Sequence, residues 1–436
     1  MKPTSIVINS QKKHNPMIQF IILMVISLTL INPVPPSQTN LRSEYALMID
    51  AGSTGTRLHI FEISVKNKQP KVKEIKANRN EITTRNGPLH QLAEKMDKDE
   101  VENYLNVLFS TAQKVLIKTR GLTKDALKKV PVYLRATAGV RALVDEDKNR
   151  LLRLVSSVME QSGFQSRGAA VLSGQEEAVY AWLSTNDALG RLEQGADQTL
   201  GIIEMGGGSL QVAFSPKTND WDNEELKRFF TEIKVGDKSY PIYAFSYENL
   251  GQKQAIKTIC ESDTTNACQV NCALSKNSLG DYHLCQKYFS EQLNKDHKCS
   301  PHCGLNGMYQ GIHQGDWIGL SNINHLSREM DVELINVESL EKAGRDFCQK
   351  PYKELKELYP KLKDRFQEFY CVTTAYLSSI LFGDHEAFDG IGLDAHSGLK
   401  NLNQTNTEES SWARGFIFLE KLNRNHPTSL WQGIEE

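Results

Sequence analysis

Two segments of the chain repeat one pattern, in which an apolar strand passes through an acidic residue into a turn rich in glycine and serine. The first segment is Ile49–Thr56 and the second is Ile203–Ser209. Each turn leads into another apolar segment, Leu58–Ile63 in the first case and Leu210–Phe214 in the second. A single turn of this kind is common, but an acid and glycines at matching offsets in two turns indicate that both turns have the same function.

The chemistry of the two turns predicts this function. Glycine lets the backbone approach a bulky anion, and successive N–H groups in such turns form an anion-binding nest. The acid beside each turn can hold a cation, directly or through water, and the cation offsets phosphate charge. The repeated segments therefore predict a phosphate chain held from two sides.

The N-terminal residues 1–36 have the pattern of a targeting segment. Lys12 and Lys13 precede an apolar run from Met17 to Ile31, which a proline-rich stretch at 32–36 ends. The run is shorter than the roughly 20 residues of a comfortable membrane helix, which favours a signal peptide, although an uncleaved signal anchor stays open. We expect export in either case. The single glycosylation sequon at Asn403 favours a secreted or periplasmic bacterial protein over a Golgi-lumen or cell-surface protein anchored by Met17–Ile31.

The cysteines agree with export. There are eight, an even number, which in an exported chain predicts disulfides, with Cys348–Cys371 as a plausible local bridge. The alternative is a zinc site, because histidine and cysteine crowd together in one stretch. Its candidate ligands are His283, Cys285, His297, Cys299, His302 and Cys303.

Size and charge narrow the class of protein further. A chain of 436 residues is long enough for about two domains. The net charge of −2, without a basic stripe interleaved with aromatics, gives no support for binding a nucleic acid polymer. Strand and helix patterns alternate, which predicts an α/β fold with functional turns at strand ends. The predicted strands are Tyr45–Ile49, Leu58–Ile63, Val132–Leu134 and Ala169–Leu172, and the predicted helices include 101–115, 151–158, a segment beginning near Ser173, 337–358, 366–381 and 412–422.

Five segments, taken in order, resemble the signature regions of the nucleoside triphosphate diphosphohydrolases, the family of apyrases and nucleoside diphosphatases. They are 50–57, 136–141, 174–186, 204–211 and, more loosely, 412–415. The resemblance implies two actin/hexokinase-like (ribonuclease H-like) lobes with the active site in the cleft between them. Lobe I would comprise 41–172 and 402–436, and lobe II, with a cysteine-rich insert, 173–401.

The resemblance also implies a reaction and a role for each site residue. The reaction is hydrolysis of nucleoside tri- and diphosphates to the monophosphate by in-line attack of water, assisted by Ca²⁺ or Mg²⁺. Glu177 would be the base, Ser209 and Gln211 would hold the water, and Asp50 and Glu204 would hold the cation through its own waters. The phosphate-binding residues would be Ser53, Thr54, Gly55, Thr56, Arg57, Thr137, Gly207 and Gly208, and Tyr376 is a candidate for stacking on the nucleobase.

Each role has a structural alternative. Glu177 could be a first-turn acid favoured by the helix dipole. Arg57 could form only a strand-end ion pair, and Thr137 could cap a turn. Trp182 and Tyr376 fit a hydrophobic core better than a stacking platform.

Four residues depart from the family pattern. Glu204 stands where the family has Asp, Ala178 replaces Gly, Leu210 replaces Thr, and Arg414 replaces an apolar residue. Ala178 and the Gly-Gly-Gly-Ser turn also resemble the exopolyphosphatase/guanosine pentaphosphatase enzymes of the same superfamily. Trimming of linear polyphosphate or guanosine pentaphosphate is therefore the alternative activity, and nucleotide binding without turnover is the alternative of another class.

Overall fold

A computed structural model of the chain describes residues 44–66, 69–84, 87–216, 226–275, 278–294, 304–311, 313, 315–383, 390–393, 398–400 and 410–425. All of them belong to the unit Ser43–Glu436. The expected targeting segment, the sequon at Asn403, and Cys299 and Cys303 lie outside the described residues, as does most of the expected linker 401–411.

The N-terminal sheet is a five-stranded mixed sheet with the order β3-β2-β1-β4-β5. Its strands are β1 (Glu44–Gly52), β2 (Gly55–Lys66), β3 (Gln69–Glu74), β4 (Pro131–Ala136) and β5 (Gln165–Val171). Strands β1 and β2 form the antiparallel hairpin that the sequence predicts, and β4 runs parallel to β1. The helices that accompany this sheet are α1 (Arg79–Ile82), α2 (Lys98–Arg120), α3 (Lys124–Leu127), α4 (Ala138–Arg141) and α5 (Asp145–Glu160).

The C-terminal sheet has seven strands in the order β11-β12-β10-β6-β7-β9-β8. They are β6 (Gly201–Met205), β7 (Ser209–Phe214), β8 (Phe230–Val235), β9 (Lys238–Glu248), β10 (Trp317–Ser321), β11 (Leu334–Ile335) and β12 (Leu399–Lys400). The remaining helices are α6 (Gly174–Ala188), α7 (Gln252–Glu261), α8 (Ala267–Asn271), α9 (Tyr282–Leu293), α10 (Asn322–Met330), α11 (Val337–Gln349), α12 (Tyr352–Leu358), α13 (Tyr370–Phe382) and α14 (Trp412–Asn425). The predicted alternation of strands and helices is confirmed.

The two sheets use the same arrangement around their acidic strands. In each sheet the acidic strand, β1 or β6, has an antiparallel hairpin partner on one side and a parallel strand on the other. Asp50 lies opposite Arg57 in the first hairpin, and Glu204 lies opposite Gln211 in the second. The repeated sequence pattern therefore corresponds to a repeated hairpin with the same register.

Helix α6 begins at a complete capping box and is buried along most of its length. The Ser173 hydroxyl accepts the Glu176 N–H, and the Glu176 carboxylate accepts the Ser173 N–H in return. The helix packs in one hydrophobic core with α14 and with residues of both sheets. Helix α14 approaches so closely that a Cβ on Gly415 would lie 2.0 Å from the Tyr180 carbonyl oxygen.

Arg414, one of the four departures from the family pattern, is a buried hydrogen-bonding centre. Its guanidinium donates to the Val72 carbonyl on β3 at 2.9 Å and to the Ser184 carbonyl on α6 at 3.2 Å. It also pairs with the Asp187 carboxylate, which is almost as buried. A charge this deeply buried is tolerated only when it is paired and hydrogen-bonded. Arg414 therefore links α14 to α6 and to the N-terminal sheet.

Three disulfides lie within the described residues: Cys260–Cys268, Cys272–Cys285 and Cys348–Cys371. The predicted Cys348–Cys371 bridge is confirmed. The zinc alternative is wrong for Cys285, because its sulfur is bonded to Cys272 and no thiolate remains. Among the described residues we find no helix that combines the length and the apolar character of a membrane span.

We predict that Arg414→Met destabilises the fold by about 3 kcal/mol, because the buried Asp187 loses its main charged partner and keeps, among the described residues, only the half-exposed Lys71, whose Nζ lies 4.0 Å away. The double variant Arg414→Met/Asp187→Leu should recover part of that loss, since the orphaned charge is removed. Chemical denaturation of the purified proteins measures both values.

Lys421→Met is the matched control, because Lys421 lies on the same helix and pairs with the exposed Glu44. Lys421→Met should lower the free energy of unfolding by less than about 1 kcal/mol. Equal losses for Arg414→Met and Lys421→Met would contradict a special role for the buried pair.

Candidate functional site

A row of polar side chains crosses three neighbouring strands of the C-terminal sheet. Glu204 on β6 lies opposite Gln211 on β7, and Gln211 lies opposite Ser246 on β9. Directly opposed residues in antiparallel strands project from the same face with Cβ atoms about 5 Å apart. The strand register therefore places an acid, an amide and a hydroxyl side by side.

The two glycine-rich turns meet each other. A Cβ on Gly207 would lie 2.4 Å from Cγ2 of Thr54 and 3.0 Å from Oγ of Ser53. A Cβ on Gly208 would lie 3.0 Å from Cβ of Ala138, at the start of α4. Only glycine leaves room here, so the turn of one sheet lies directly against the turn of the other.

Asp50 and Glu204 bring buried, incompletely paired oxygens to this meeting point. Each residue is 8% exposed. Asp50 Oδ2 lies 3.5 Å from Arg57 Nη1, and Glu204 Oε1 accepts a hydrogen bond of 2.7 Å from Ser321 Oγ. The second oxygen of each carboxyl is buried and has no hydrogen-bond partner among the described residues.

Burial also perturbs the titration of both acids. It raises the pKa of Glu204 to about 7, with a further contribution from nearby Asp50, while the hydrogen bond from Ser321 acts in the opposite direction. Burial raises the pKa of Asp50 as well, against the lowering effects of Arg57 and His59. Two buried acids, of which Asp50 raises the cost of charging Glu204, form a site suited to an added positive charge.

The donor set fits a hard divalent cation. Its free oxygens are carboxylates, one from each sheet, which Ca²⁺ and Mg²⁺ accept. Among residues 44–425, wherever the structure describes them, no cluster of three or more His, Cys, Asp or Glu side chains could hold a metal directly. A cation here would keep much of its own water, as the sequence predicts for Asp50 and Glu204.

Glu177 lies in the first turn of α6, but its neighbour performs the capping. The Glu176 carboxylate accepts the Ser173 N–H at 2.8 Å, whereas Glu177 points inward and is 7% exposed. Burial raises the pKa of Glu177 to about 8; Arg141 opposes the shift, and Glu204, Asp50 and Glu248 add to it. A buried acid next to two others is not explained by a helix dipole alone.

Gln211 and Ser209 are joined by a hydrogen bond. Gln211 Nε2 donates to Ser209 Oγ at 2.7 Å and to Ser246 Oγ at 2.9 Å. Both amide hydrogens are therefore used. Gln211 Oε1 is buried and accepts no hydrogen bond from any described group, so it can still accept one from a bound molecule.

The predicted phosphate-binding residues occupy different positions around the turns. Ser53, Thr54 and Gly55 form the first turn, and Gly207 and Gly208 lie in the second. The Arg57 side chain is 40% exposed.

Thr56 and Thr137 are more buried than the turn residues. The Thr56 hydroxyl faces the protein interior and accepts a 2.7 Å hydrogen bond from Tyr104. Thr137 precedes α4, its N–H donates to the Ala51 carbonyl, and its side chain makes no capping bond.

Trp182 and Tyr376 are core residues in the structure. Trp182 is fully buried and packs against Tyr240. Tyr376 is also fully buried, and its hydroxyl donates to the Leu250 carbonyl at 2.8 Å. Tyr376 has no exposed ring face on which a nucleobase could stack.

Several polar residues of the site were not predicted from the sequence. Arg141 donates to both Glu177 and Glu248, and Ser321 holds Glu204. Ser321 ends β10 with φ 56° and ψ −118°, a backbone conformation rare for a residue other than glycine. The only sequence signal for Ser246 and Glu248 is their alternation on one face of β9.

Comparisons with known proteins identify the family of the chain. The model of the GDA1/CD39 (nucleoside phosphatase) family matches residues 37–426. The chain is 28% identical to probable apyrase 5 of Arabidopsis thaliana, over 89% of this chain and 84% of that protein. It is 26% identical to an apyrase of Solanum tuberosum (89% and 90%) and 24% identical to ectonucleoside triphosphate diphosphohydrolase 1 of Mus musculus (83% and 78%).

Two solved structures share the fold at low sequence identity. Nucleoside triphosphate hydrolase of Neospora caninum aligns with a TM-score of 0.54 and 15% identity, over 94% of this chain and 98% of that one. A Ppx/GppA family protein of Aquifex aeolicus aligns with a TM-score of 0.50 and 15% identity, over 88% and 99%. The predicted α/β fold of the actin/hexokinase-like class is confirmed.

The raised pKa of Glu177 makes the stability of the cation-free protein depend on pH. The folded protein binds this proton more tightly than the unfolded chain, whose pKa is near 4.5, so the stabilisation is complete below that pH. It is lost as the pH rises towards about 8. Glu177→Gln should therefore match the wild type near pH 5 and exceed it above pH 8 by on the order of 2–4 kcal/mol.

Denaturant titrations in EDTA across this pH range measure the effect. Glu176→Gln, in the same turn but partly exposed, is the matched control for the loss of one carboxylate from this turn. Parallel pH profiles for Glu177→Gln and the wild type would contradict the burial of a titrating carboxyl.

Proposed function

The chain belongs to the GDA1/CD39 (nucleoside phosphatase) family, and from that premise we propose that Glu177, Ser209 and Gln211 carry out the hydrolysis. The enzyme cleaves phosphoanhydride bonds of nucleoside tri- and diphosphates, and we infer that it stops at the monophosphate. The observation that carries the proposal is that Glu177 is buried within electrostatic reach of Asp50 and Glu204, the acids that precede the two touching glycine turns.

Three side chains are suited to orienting one attacking water. Gln211 uses both amide hydrogens on Ser209 and Ser246, so its carbonyl oxygen is left to accept a hydrogen from the water. Ser209 accepts an N–H from Gln211 and keeps its own hydrogen to donate to the water oxygen. Glu177 accepts the second water hydrogen, and the remaining lone pair of the water faces phosphorus.

Glu177 has the properties of a general base for this step. Its carboxyl is buried, and its pKa of about 8 lies closer to neutral pH than that of an ordinary glutamate. A cation and the Arg141 guanidinium favour the ionised form, in which Glu177 can take the proton. The same residue can then release that proton to solvent or to the leaving phosphate.

The glycine turns would hold the phosphate chain. Backbone N–H groups of Ser53, Thr54, Gly55, Gly207 and Gly208 would surround the phosphate oxygens. Arg57 and Thr137 lie beside them, and Thr56 would contribute through its backbone, because its hydroxyl is engaged by Tyr104. Phosphoryl transfer depends mainly on such positioning and on neutralisation of charge.

Enzymes of this family need a divalent cation, and we propose that Asp50 and Glu204 hold it through its coordinated water. When bound, Ca²⁺ or Mg²⁺ would supply charge neutralisation for the phosphate oxygens. The free carboxylate oxygens Asp50 Oδ1 and Glu204 Oε2 are the groups suited to hydrogen-bonding its waters. Ser321 would fix the orientation of the longer glutamate arm.

We propose the arrangement of the lobes and the export of the protein together with its function. Lobe I would comprise 41–172 and 402–436, and lobe II 173–401. The contacts of α14 with β3 support the return of the C-terminal segment to lobe I, and α14 also packs against α6 of lobe II. The disulfides are consistent with an exported protein.

A direct experiment is phosphate release from ATP, ADP, GTP, GDP, AMP and linear polyphosphate, each with Ca²⁺, Mg²⁺ or EDTA. We expect metal-dependent release from nucleoside tri- and diphosphates and none from AMP. Release from polyphosphate alone would instead support the polyphosphatase alternative, and ATP binding without any release would support a protein without turnover.

We predict that Glu177→Gln lowers kcat by roughly 10²- to 10⁴-fold, because the water loses its base, while nucleotide affinity changes little. Steady-state kinetics and calorimetric titration with a non-hydrolysable ATP analogue measure the two quantities. Glu176→Gln, which conserves the cap geometry, should keep near wild-type kcat. Near-normal turnover in Glu177→Gln would remove Glu177 from the mechanism.

We predict that Glu204→Asp keeps metal-dependent turnover, because a cation held through water tolerates an arm shorter by one methylene. Glu204→Gln should raise the metal concentration for half-maximal activity by about 10-fold or more, since a charge is lost. Metal titrations of activity compare the variants. A folded but inactive Glu204→Asp would show that the site requires the longer arm held by Ser321.

A further inference from the structure

We propose that Ser246 and Glu248 are positioning residues that decide which end of the Gln211 amide faces the attacking water. The inference rests on the proposed function, in which the Gln211 carbonyl accepts a hydrogen bond from that water. Neither residue is placed to touch the substrate in this scheme. Their effect on the reaction passes through Gln211.

The contacts form one continuous chain. Gln211 Nε2 donates to Ser246 Oγ at 2.9 Å, and Ser246 Oγ donates to Glu248 Oε1 at 2.8 Å. Arg141 Nη2 donates to the same Glu248 oxygen at 2.9 Å. Gln211 and Ser246 are directly opposite across β7 and β9, so strand register fixes the first of these contacts.

The chemistry of these groups sets the direction of every hydrogen bond. A carboxylate that is paired with arginine only accepts, so Ser246 must donate its hydroxyl hydrogen to Glu248. Ser246 can then only accept from Gln211, and that requirement turns the NH₂ group of the amide towards it. The carbonyl oxygen is consequently directed away from Ser246 and remains without a partner in the described structure.

Without this chain the amide has two orientations of similar energy. Ser209 can either donate to or accept from Gln211, because a hydroxyl does both, and it cannot select between them. Flipping the amide would present two donors to the attacking water in place of an acceptor. The Ser246–Glu248 pair therefore determines which end of the Gln211 amide faces the water, because Ser209 cannot select between the two orientations.

The same guanidinium connects this chain to the base. Arg141 Nη1 lies 3.4 Å from Glu177 Oε2, while Nη2 bonds to Glu248. Close packing maintains the arrangement, because a Cβ on Gly174 would lie 2.2 Å from Ser246 Cβ and 2.8 Å from Glu248 Oε1. The start of α6 is thus held against the β9 residues that orient Gln211.

A double-mutant cycle of Ser246→Ala and Gln211→Ala tests the proposal. Ser246→Ala should lower kcat for ATP or ADP by roughly 10- to 100-fold through misorientation of the water, with KM changed less than about 2-fold. Because Ser246 acts through Gln211, adding Ser246→Ala to Gln211→Ala should cause no further loss. Glu248→Ala should lower kcat in the same direction, and it supplies the cycle if Ser246→Ala fails to fold.

Ser239→Ala is the matched control. Ser239 lies at the other end of β9, and its hydroxyl also donates to a glutamate, Glu232. Its kcat should equal that of the wild type, and thermal unfolding checks that all variants are folded.

The possible outcomes distinguish a failure of the positioning role of Ser246 from a failure of the proposed function. Wild-type kcat in Ser246→Ala with an impaired Gln211→Ala would overturn the positioning role and leave the proposed function intact. Multiplicative losses in the double variant would also overturn it, because Ser246 would then act independently of Gln211. Wild-type kcat in Gln211→Ala would overturn the assigned role of Gln211 itself.

Discussion

The cost of burying negative charge is the constraint on which this site depends. Burial raises the pKa of Asp50, Glu177 and Glu204, and the charge of Asp50 adds to the shift at Glu177 and at Glu204. An arrangement like this is unfavourable for stability unless positive charge compensates it, and Arg57 and Arg141 compensate only in part. The electrostatic properties of the site therefore suit the binding of a cation and a reaction that releases protons.

Strand register brings residues that are separated in the sequence together in this site. Each acid is followed, seven positions later, by the polar residue opposite it in the hairpin, Arg57 for Asp50 and Gln211 for Glu204. A slip of one residue in either hairpin would turn these side chains to the other face of the sheet. The two hairpins differ in chemistry at this matched position, because one has the guanidinium of Arg57 and the other the amide of Gln211, which we propose orients the water.

The fold class and the residues near the glycine turns could be predicted from the sequence, because local patterns encode them. Helix α6 follows from its capping box, and the β1–β2 hairpin follows from its apolar strands and glycine turn. Ser321 and Arg414 could not be predicted, because their roles depend on strands and helices that are distant in the chain. The edge pair β8–β9 was also missed, and with it the Ser246–Glu248 contact, since polar residues interrupt its apolar pattern.

The packing of α14 against α6 has a consequence for the order in which the protein is assembled during synthesis. Apart from Ser321, which holds Glu204, every side chain assigned to the reaction lies before residue 250, yet the helix that carries Glu177 is enclosed by a segment near residue 415. A nascent chain that ends before Trp412 would hold all of its chemical groups but would leave one side of α6 open to solvent. Formation of the site is therefore expected to be a late event, coupled to contacts of very long sequence separation. Activity would accordingly arise only after the ribosome has released most of the polypeptide.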